Sequence, residues 1–578
     1  MKAATVVLSR YPVVVAGILL AGFAAQAAVS ACLDSVTFDE TAHLGSGYAA
    51  LDRNDFRMNP EHPALPKMLC ALPLWLLETR KDLYDTPAWR DGQQWRFGDA
   101  FLNRPGGWSP RARLLCGRLP MVLLGVLLGV LVFAWGRELW GTPGALIALF
   151  LYALSPTLLA HAHLVTTDLP AAFGFALCLW CFARFCRRPE IGRGAAAAGS
   201  LGIALVMKFS MIVLLPLLPA GLLAWVVAPS DPPLDRRRKA WLAGALTAAA
   251  GAASLLAVWT TYGFRYTIGS EPGATAYWPA AELDGGLMAG AVSLARRLEL
   301  LPEGYLFGLS YVFKNSLRVS FLNGAVLSEP SRLYLAEAFL LKSTPATLIL
   351  AALGAWSWSR RPEGAGEKVW VMLPACFYFF SSLAFGMTLG HRHLSPMYPL
   401  LFVTAGAAAA PAAAGSRWRS ALLALLASHA ISSLSSFPRP LAYFNVAAGG
   451  SSGGWRYLVD SNIDWGQDLR RLGDWMARSG VPTIHLAYFG TGVPENEGVQ
   501  YRKVYRFMDL SSDHPATLPG PGDTLAVSVT LLQGLYCSDP EVRALLDAVR
   551  TRLTPIGKAG DSIFIYRIPA GEEWRGRP

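Results

Sequence analysis

The stretch Gly194–Ala228, GAAAAGSLGIALVMKFSMIVLLPLLPAGLLAWVVA, decides how this chain is built. It is apolar almost throughout, its one charge is Lys208, and it contains no obvious turn. Arg184, Arg187, Arg188 and Arg193 stand before it; Arg236, Arg237, Arg238 and Lys239 stand after it. Clusters of Arg and Lys beside apolar runs stay on the cytoplasmic side of a membrane. Both clusters must then share one compartment, so the stretch crosses twice, with Lys208 at the outer turn.

The same pattern extends in both directions. Apolar runs long enough to span, or nearly so, are Tyr11–Leu33, Leu114–Trp135, Gly144–Ala160, Leu169–Ala183, Gly194–Met207, Phe209–Ala228, Ala240–Tyr262, Thr344–Trp358, Val369–Met387, Leu394–Ala414 and Ser420–Leu434. Several fall short of the ~20 residues a bilayer requires, which leaves their ends loose by about a turn. Arg360, Arg361 and Lys368 follow the eighth run and Arg417 and Arg419 the tenth; after the second stands only Arg137. Every even-numbered run thus ends in basic residues, and the N-terminus is expected in the cytoplasm. Val29-Ser30-Ala31-Cys32 is similar to a lipoprotein cleavage box, but the apolar stretch before it is longer than a signal-peptide core.

Composition sets the same bounds. At 578 residues, a soluble chain would hold roughly four domains of about 150 residues each. With 53% apolar and 16% charged residues and a mean hydropathy of +0.34, the apolar residues cannot all be packed into soluble globules. Eight cysteines, mostly inside apolar runs, exclude a disulfide scaffold. The net charge of +11 sits in short clusters between spans, which excludes a nucleic-acid-binding face.

Three large pieces remain on the outer side: loops 34–113 and 263–343, and the region 438–578. The last leaves the apolar pattern. Strands are expected at Tyr457–Asp460, Thr483–Phe489, Thr524–Thr530 and Ser562–Ile568, with helices at Gly466–Arg478 and near Glu541–Arg552. The fold class expected is an all-α polytopic membrane bundle of about 11 transmembrane helices over 1–437, with an extracytoplasmic α/β domain over 438–578.

Ionisable residues at membrane depth are costly and by default mark function. Here they collect at the outer ends: Asp34-Ser-Val-Thr-Phe-Asp39-Glu40-Thr-Ala-His43 after the first span, then Asn59-Pro60-Glu61-His62-Pro63 and Lys67. The apolar stretch that follows to Leu77 is too short to span and reads as an interfacial helix. His161-Ala-His163-Leu-Val-Thr-Thr167-Asp168 lies between spans three and four, Lys208 between five and six, and Gly390-His391-Arg392-His393 between nine and ten. Carboxylates beside cations at a lipid–water boundary suit a substrate with an apolar tail and a phosphate head. Arg would grip the phosphate with a planar fork and Lys as a point charge. A carboxylate could take a proton from an attacking hydroxyl.

Phe38-Asp39-Glu40 resembles the Asp-Glu motif of the C-type (GT-C) glycosyltransferases, in particular the branch of protein O-mannosyltransferases and lipid A aminoarabinose transferase. Glu61-His62-Pro63, Thr167-Asp168, Lys208-Phe209, Gly390-His391-Arg392-His393, Tyr443-Phe444-Asn445 and Asp460-Ser-Asn462-Ile-Asp464-Trp465-Gly-Gln467-Asp468 resemble motifs of that branch's bacterial members. The resemblance implies a GT-C bundle and a polyprenyl-phosphate sugar donor. Transfer would be to a lipid, glycan or protein hydroxyl, with inversion, at the outer face of a bacterial inner membrane. Asp39 matches the catalytic base and Glu40 its acidic neighbour; Asp168 and Glu61 match carboxylates of the cavity. Lys208 and Arg392, with His391, His393 and His62 beside them, match the carrier-phosphate side. The α/β domain is not shared with the aminoarabinose transferases, so the acceptor does not carry over.

Plainer readings stand beside these. Asp39 and Glu40 could merely end a span, Asp168 could cap its helix, and Lys208 could snorkel. His-x-His does not put both rings on one helical face, though a divalent cation held by Asp39, Glu61 or Asp168 stays open. Asp460, Asn462 and Asp464 begin like a calcium loop, but Trp465 and Arg471 occupy its Gly and Glu positions, so a turn that caps the next helix is expected. Gly449–Gly454 reads as a flexible link and Trp89 to Trp108 as an interfacial belt. From other classes, a transporter or flippase for a lipid-linked or anionic solute would place its charges near mid-membrane on broken helices. A non-catalytic assembly subunit would make Asp39 dispensable.

Overall fold

The computed structural model describes residues 11–78, 81–229, 234–271, 274–315, 318–360, 365–386, 388–510 and 515–571. Arg361, Met387 and the end of the 438–578 region fall outside them. All eleven apolar runs lie in helices. Among the described residues six helices are long and apolar enough to cross a membrane, and seven if the bent pair Tyr334–Lys342 and Pro345–Ser359 counts as one.

The second run and most of the third are two helical limbs within Pro110–Ala153, and the chain folds back between them at Gly141, where φ is +67°. A side chain is strained there, so glycine permits the reversal. The two limbs pack tightly: a Cβ on Gly136 would meet Ala145, and the Tyr152 hydroxyl donates to the Gly125 carbonyl of the other limb. The third run then ends in a separate short helix, Pro156–Ala162.

Contacts at the two ends of the bundle agree with the parity of the spans. At one end Glu138 meets Arg184 and Arg187, and Arg187 also reaches Glu367. At the other, Lys208 reaches Asp168. Lys208 breaks the Gly194–Ala228 stretch with an extended backbone, between Ile191–Met207 and the turn Phe209–Val213 that leads into Leu214–Val227. The helix Ala64–Leu77 keeps Leu76 and Leu77 exposed, as an interfacial helix should. A side chain on Gly47 would strike the Lys67 carbonyl, so glycine there lets Ala64–Leu77 lie directly against the helix Phe38–Arg53.

The C-terminal region holds a five-stranded mixed sheet in the order Tyr501–Arg506, Ile484–Tyr488, Thr524–Ser528, Ile563–Arg567, Gly557–Ala559. The first two pairings are parallel and the last two antiparallel. Leu469–Ser479 packs its apolar face on the sheet through Leu472 and Met476, and Pro540–Arg552 adds the second helix. Two expected features are corrected. Tyr457–Asp460 is not a strand, because Leu458 N–H turns back to Gly454 and the Tyr457 carbonyl accepts from Asn323 of the 263–343 loop. Gly449–Gly454 is a set of tight turns, closed by Gly450 N–H to Asn445 and Gly454 N–H to Gly450.

Candidate active site

The site begins where the first span ends. Thr37 caps Phe38–Arg53 in a reciprocal box with Glu40 three residues on: Thr37 N–H and Oγ1 donate to Glu40 Oε2 at 2.8 and 3.0 Å. Arg118 adds a two-pronged pair, Nε to Oε1 at 2.8 Å and Nη2 to Oε2 at 2.6 Å. Val165 N–H, from the second outer loop, donates to Oε1 at 2.9 Å. Arg118 spends its other donors on the carbonyls of Ala31, Asp34 and Ser35. Burial alone would raise the Glu40 carboxyl, but Arg118 and these N–H groups hold it below the ordinary range. Glu40 is fully buried and its oxygens are taken. In this arrangement Glu40, expected in the catalytic pair, fixes the helix start through Thr37, Arg118 and Val165.

Successive helix residues point about 100° apart. With Glu40 drawn to Arg118, Asp39 faces elsewhere, and its Oδ2 accepts from Arg392 Nη1 at 2.9 Å. The same nitrogen reaches Asp168 Oδ2 at 3.5 Å, and Lys208 Nζ donates to Asp168 Oδ1 at 2.5 Å. Four residues singled out in four separate outer loops therefore form one chain, Asp39–Arg392–Asp168–Lys208, with two charges of each sign. The Asp39 side chain keeps 18% exposure whereas Asp168 keeps none. Asp39 is the more accessible of the two acids.

Arg392 is held from a second side. Its guanidinium lies 4.2 Å from the centre of the Trp465 ring, a cation–π contact from the C-terminal region. Its Nε is buried with no hydrogen-bond partner among the described residues, as are His161 Nδ1 and His393 Nε2. Three ring or guanidinium nitrogens free of protein partners around one arginine suit a ligand with several acceptor oxygens. The cavity beside Arg392, lined by Thr157, His161, Lys342, His391, Arg392 and Ser461, holds only about 10 Å³.

The remaining residues distribute as follows. His391 Nε2 shares a hydrogen bond with Tyr398 Oη at 2.6 Å, and its N–H donates to Asn462 Oδ1 at 2.9 Å. Glu61 accepts from Asn59 Nδ2 and Gln94 Nε2, away from the ion chain. The His62 ring packs edge-on against His43 at 5.2 Å. Burial, with His43 and the cations Lys208, Lys67 and Arg392 nearby, holds His62 well below its ordinary pKa. Among the described residues no three His, Cys, Asp or Glu side chains converge to hold a metal. The candidates Asp39 and Asp168 face Arg392 and Lys208, and Glu61 faces amides, so this donor set as arranged does not fit a divalent cation.

The 460–468 loop is the part that sequence reasoning underused. Asp468 does not cap the next helix; its Oδ2 accepts from Ser562 Oγ and from the N–H groups of Asp561 and Ser562. Phe38 N–H donates to the Trp465 carbonyl and Ser35 N–H to that of Gln467, both at 2.9 Å. Arg471 joins Asp34 to Asp468 at 2.8 and 2.6 Å, and His163 Nε2 meets the other Asp34 oxygen at 2.9 Å. Lys342 Nζ donates to the carbonyls of Leu441 and Asn462. An arginine at 118 inside an apolar run was the signal for its partner; Trp465 stood inside a motif without an expected role, and Lys342 carried no distinct signal. Trp89, expected in an interfacial belt, is buried under Arg57 instead.

Fold and site define a multi-pass membrane protein with acids and cations gathered at one end of its helices and roofed by an α/β domain. Residues 113–259 match the family described as dolichyl-phosphate-mannose-protein mannosyltransferase. The resemblance to protein O-mannosyltransferases is thus found in that segment, which holds Thr167-Asp168 and Lys208-Phe209. Among solved structures the chain is similar to ArnT from Cupriavidus metallidurans in the apo state, at 12% identity, 99% coverage of both chains and a TM-score of 0.47. It is also similar to ArnT bound to undecaprenyl phosphate, at 12% identity, 98% and 99% coverage and a TM-score of 0.46. The archaeal oligosaccharyltransferase AglB from Archaeoglobus fulgidus, in complex with an inhibitory peptide and a dolichol-phosphate, aligns at 14% identity over 87% of this chain and 61% of that one, TM-score 0.43. Among curated protein sequences none matches.

Proposed function

We propose that the protein transfers a sugar from a polyprenyl-phosphate carrier to an acceptor hydroxyl at the extracytoplasmic face of a bacterial inner membrane. The observation that carries this is the Arg392 guanidinium shared between Asp39 and Asp168, with Lys208 on the far oxygen of Asp168. An incoming phosphate competes with Asp39 for Arg392 and frees the carboxylate as a base. Asp39 then takes the acceptor's proton while the acceptor oxygen attacks the anomeric carbon. The bond from that carbon to the phosphate oxygen breaks with inversion, and the phosphate departs with its charge met by Arg392 and Lys208. The ion pairs sit at helix ends and loops, which favours this reading over a transporter with a mid-membrane site.

The test uses purified protein in liposomes carrying labelled polyprenyl-phosphate sugar and a crude envelope extract as acceptor source. Loss of label from the lipid in wild type, and its suppression in Asp39→Asn, is the expected result. Equal loss in both removes Asp39 as the base. Parallel reactions with chelator, Mg²⁺ or Mn²⁺ decide whether a divalent cation takes part.

A further inference from the structure

A polar cavity against the membrane bundle lies apart from the ion chain. It lies at the seam where the helices Pro12–Leu33 and Pro110–Ala153 meet the C-terminal region, has a volume of about 220 Å³, and is lined by Cys32, Asp34, Arg111, Leu115, Arg470 and Glu497 among others. That is room for about seven waters at roughly 30 Å³ each. Arg111 Nη2 and Arg470 Nη1 converge on a single acceptor, the Cys32 carbonyl, at 3.3 and 3.2 Å. One neutral oxygen cannot compensate two guanidinium groups. Asp34 is already spent on His163 and Arg471. Glu497 is the one carboxylate among the cavity's lining residues left to oppose two guanidinium groups. The cavity is therefore short of negative charge.

Its membrane side is apolar. Leu115 lines it, and Leu119, Leu123 and Leu127 continue at four-residue intervals down the same helix, all three exposed. Val29 and Leu33 are exposed on the antiparallel neighbour. The Phe23 and Leu20 side chains sit where Gly125 and Gly129 leave space, so the two helices pack in register below the cavity. A charged pocket at the end of an apolar strip matches a molecule with an anionic head and a hydrocarbon tail.

We propose that this seam seats the phosphate headgroup of an anionic membrane phospholipid. Arg111 from the membrane bundle and Arg470 from the C-terminal region grip the phosphate, and one acyl chain lies along the Leu115–Leu119–Leu123–Leu127 strip. Because one arginine comes from each part, the lipid ties the α/β domain to the bundle. Two forks converging on one phosphate is the geometry in which guanidinium outperforms ammonium.

The test is native mass spectrometry and thermal shift on delipidated full-length protein with phosphatidylglycerol, phosphatidylcholine or inorganic phosphate. Phosphatidylglycerol should bind at least ~10-fold tighter than phosphatidylcholine, and Arg111→Gln with Arg470→Gln should abolish that preference, a difference of about 1.4 kcal/mol per tenfold. Arg392→Gln should retain it, which separates this seat from the ion chain. Wild-type affinity in the double variant, or equal loss in Arg392→Gln, overturns the proposal. Stabilisation by inorganic phosphate alone as large as by phosphatidylglycerol overturns the lipid part. Should the double variant fail to fold, Glu497→Gln serves: removing the opposing carboxylate should tighten phosphatidylglycerol several-fold, and unchanged or weaker binding counts against the seat.

Discussion

Two carboxylates one residue apart meet opposite fates. Glu40 is fully buried, gripped by Arg118 and closed off by Thr37 and Val165. Asp39 is partly exposed and shares one arginine nitrogen with Asp168, while Arg392 Nε, His161 Nδ1 and His393 Nε2 are left without hydrogen-bond partners among the described residues. The first arrangement has no capacity left for a ligand. The second has charge balance but unfilled hydrogen bonds. Chemical similarity of two acids says little about role; what decides it is whether the partners are exhausted.

Breaking the sealed pair should cost the most. Arg118→Met leaves a buried, unpaired Glu40 charge, a loss of about 3–5 kcal/mol, read as a collapse in monodisperse yield and melting temperature. Adding Glu40→Gln should restore much of it, since the uncompensated charge is gone. Asp39→Asn should do the reverse: melting temperature within a few degrees of wild type, and turnover down by roughly 10²–10⁴. If Asp39→Asn unfolds and Arg118→Met does not, the distinction between the two acids is wrong.

The next effect sharpens how Arg392 is held. Trp465→Leu removes a cation–π contact worth about 0.5–2 kcal/mol, which should raise KM for the donor several-fold with less change in kcat; Trp465→Phe should recover part of it. A purely structural Trp465 would instead lower active protein without moving KM.

The last test concerns a pH dependence in the roof. Burial pushes the carboxyl of Asp464 up to about 8 from an ordinary value of 3.8. In that window the folded protein binds the proton and the unfolded chain does not, so this residue's contribution to stability is whole below pH 3.8 and declines as pH rises to 8. Asp464→Asn should therefore gain melting temperature relative to wild type between pH 5.5 and 8 and gain no more above it. A gap that shrinks with pH contradicts the raised value.

Much of the architecture was legible because a bilayer enforces it. The two basic clusters must share a side, which puts Lys208 at the opposite end of the bundle, and the Lys208–Asp168 contact agrees with that parity. The helices Leu469–Ser479 and Pro540–Arg552 and three of the five strands showed their periodicity. Tyr501–Arg506 and Gly557–Ala559 escaped notice, the first because polar residues alternate within it and the second because it has three residues. Tyr457–Asp460 misled because apolar content says that a segment is buried without saying where its backbone groups go.

The sequence by itself determined which loops share an end of the bundle, since charge placement relative to apolar runs is a one-dimensional property. It also placed Asp39, Asp168, Lys208 and Arg392 at one face. Which of two adjacent acids is sealed, which face of Arg392 rests on Trp465, and where Arg111 meets Arg470 were decided only in the tertiary structure. Those facts depend on how residues hundreds of positions apart share a few donors and acceptors, and hydrogen bonds saturate only when the chain has folded.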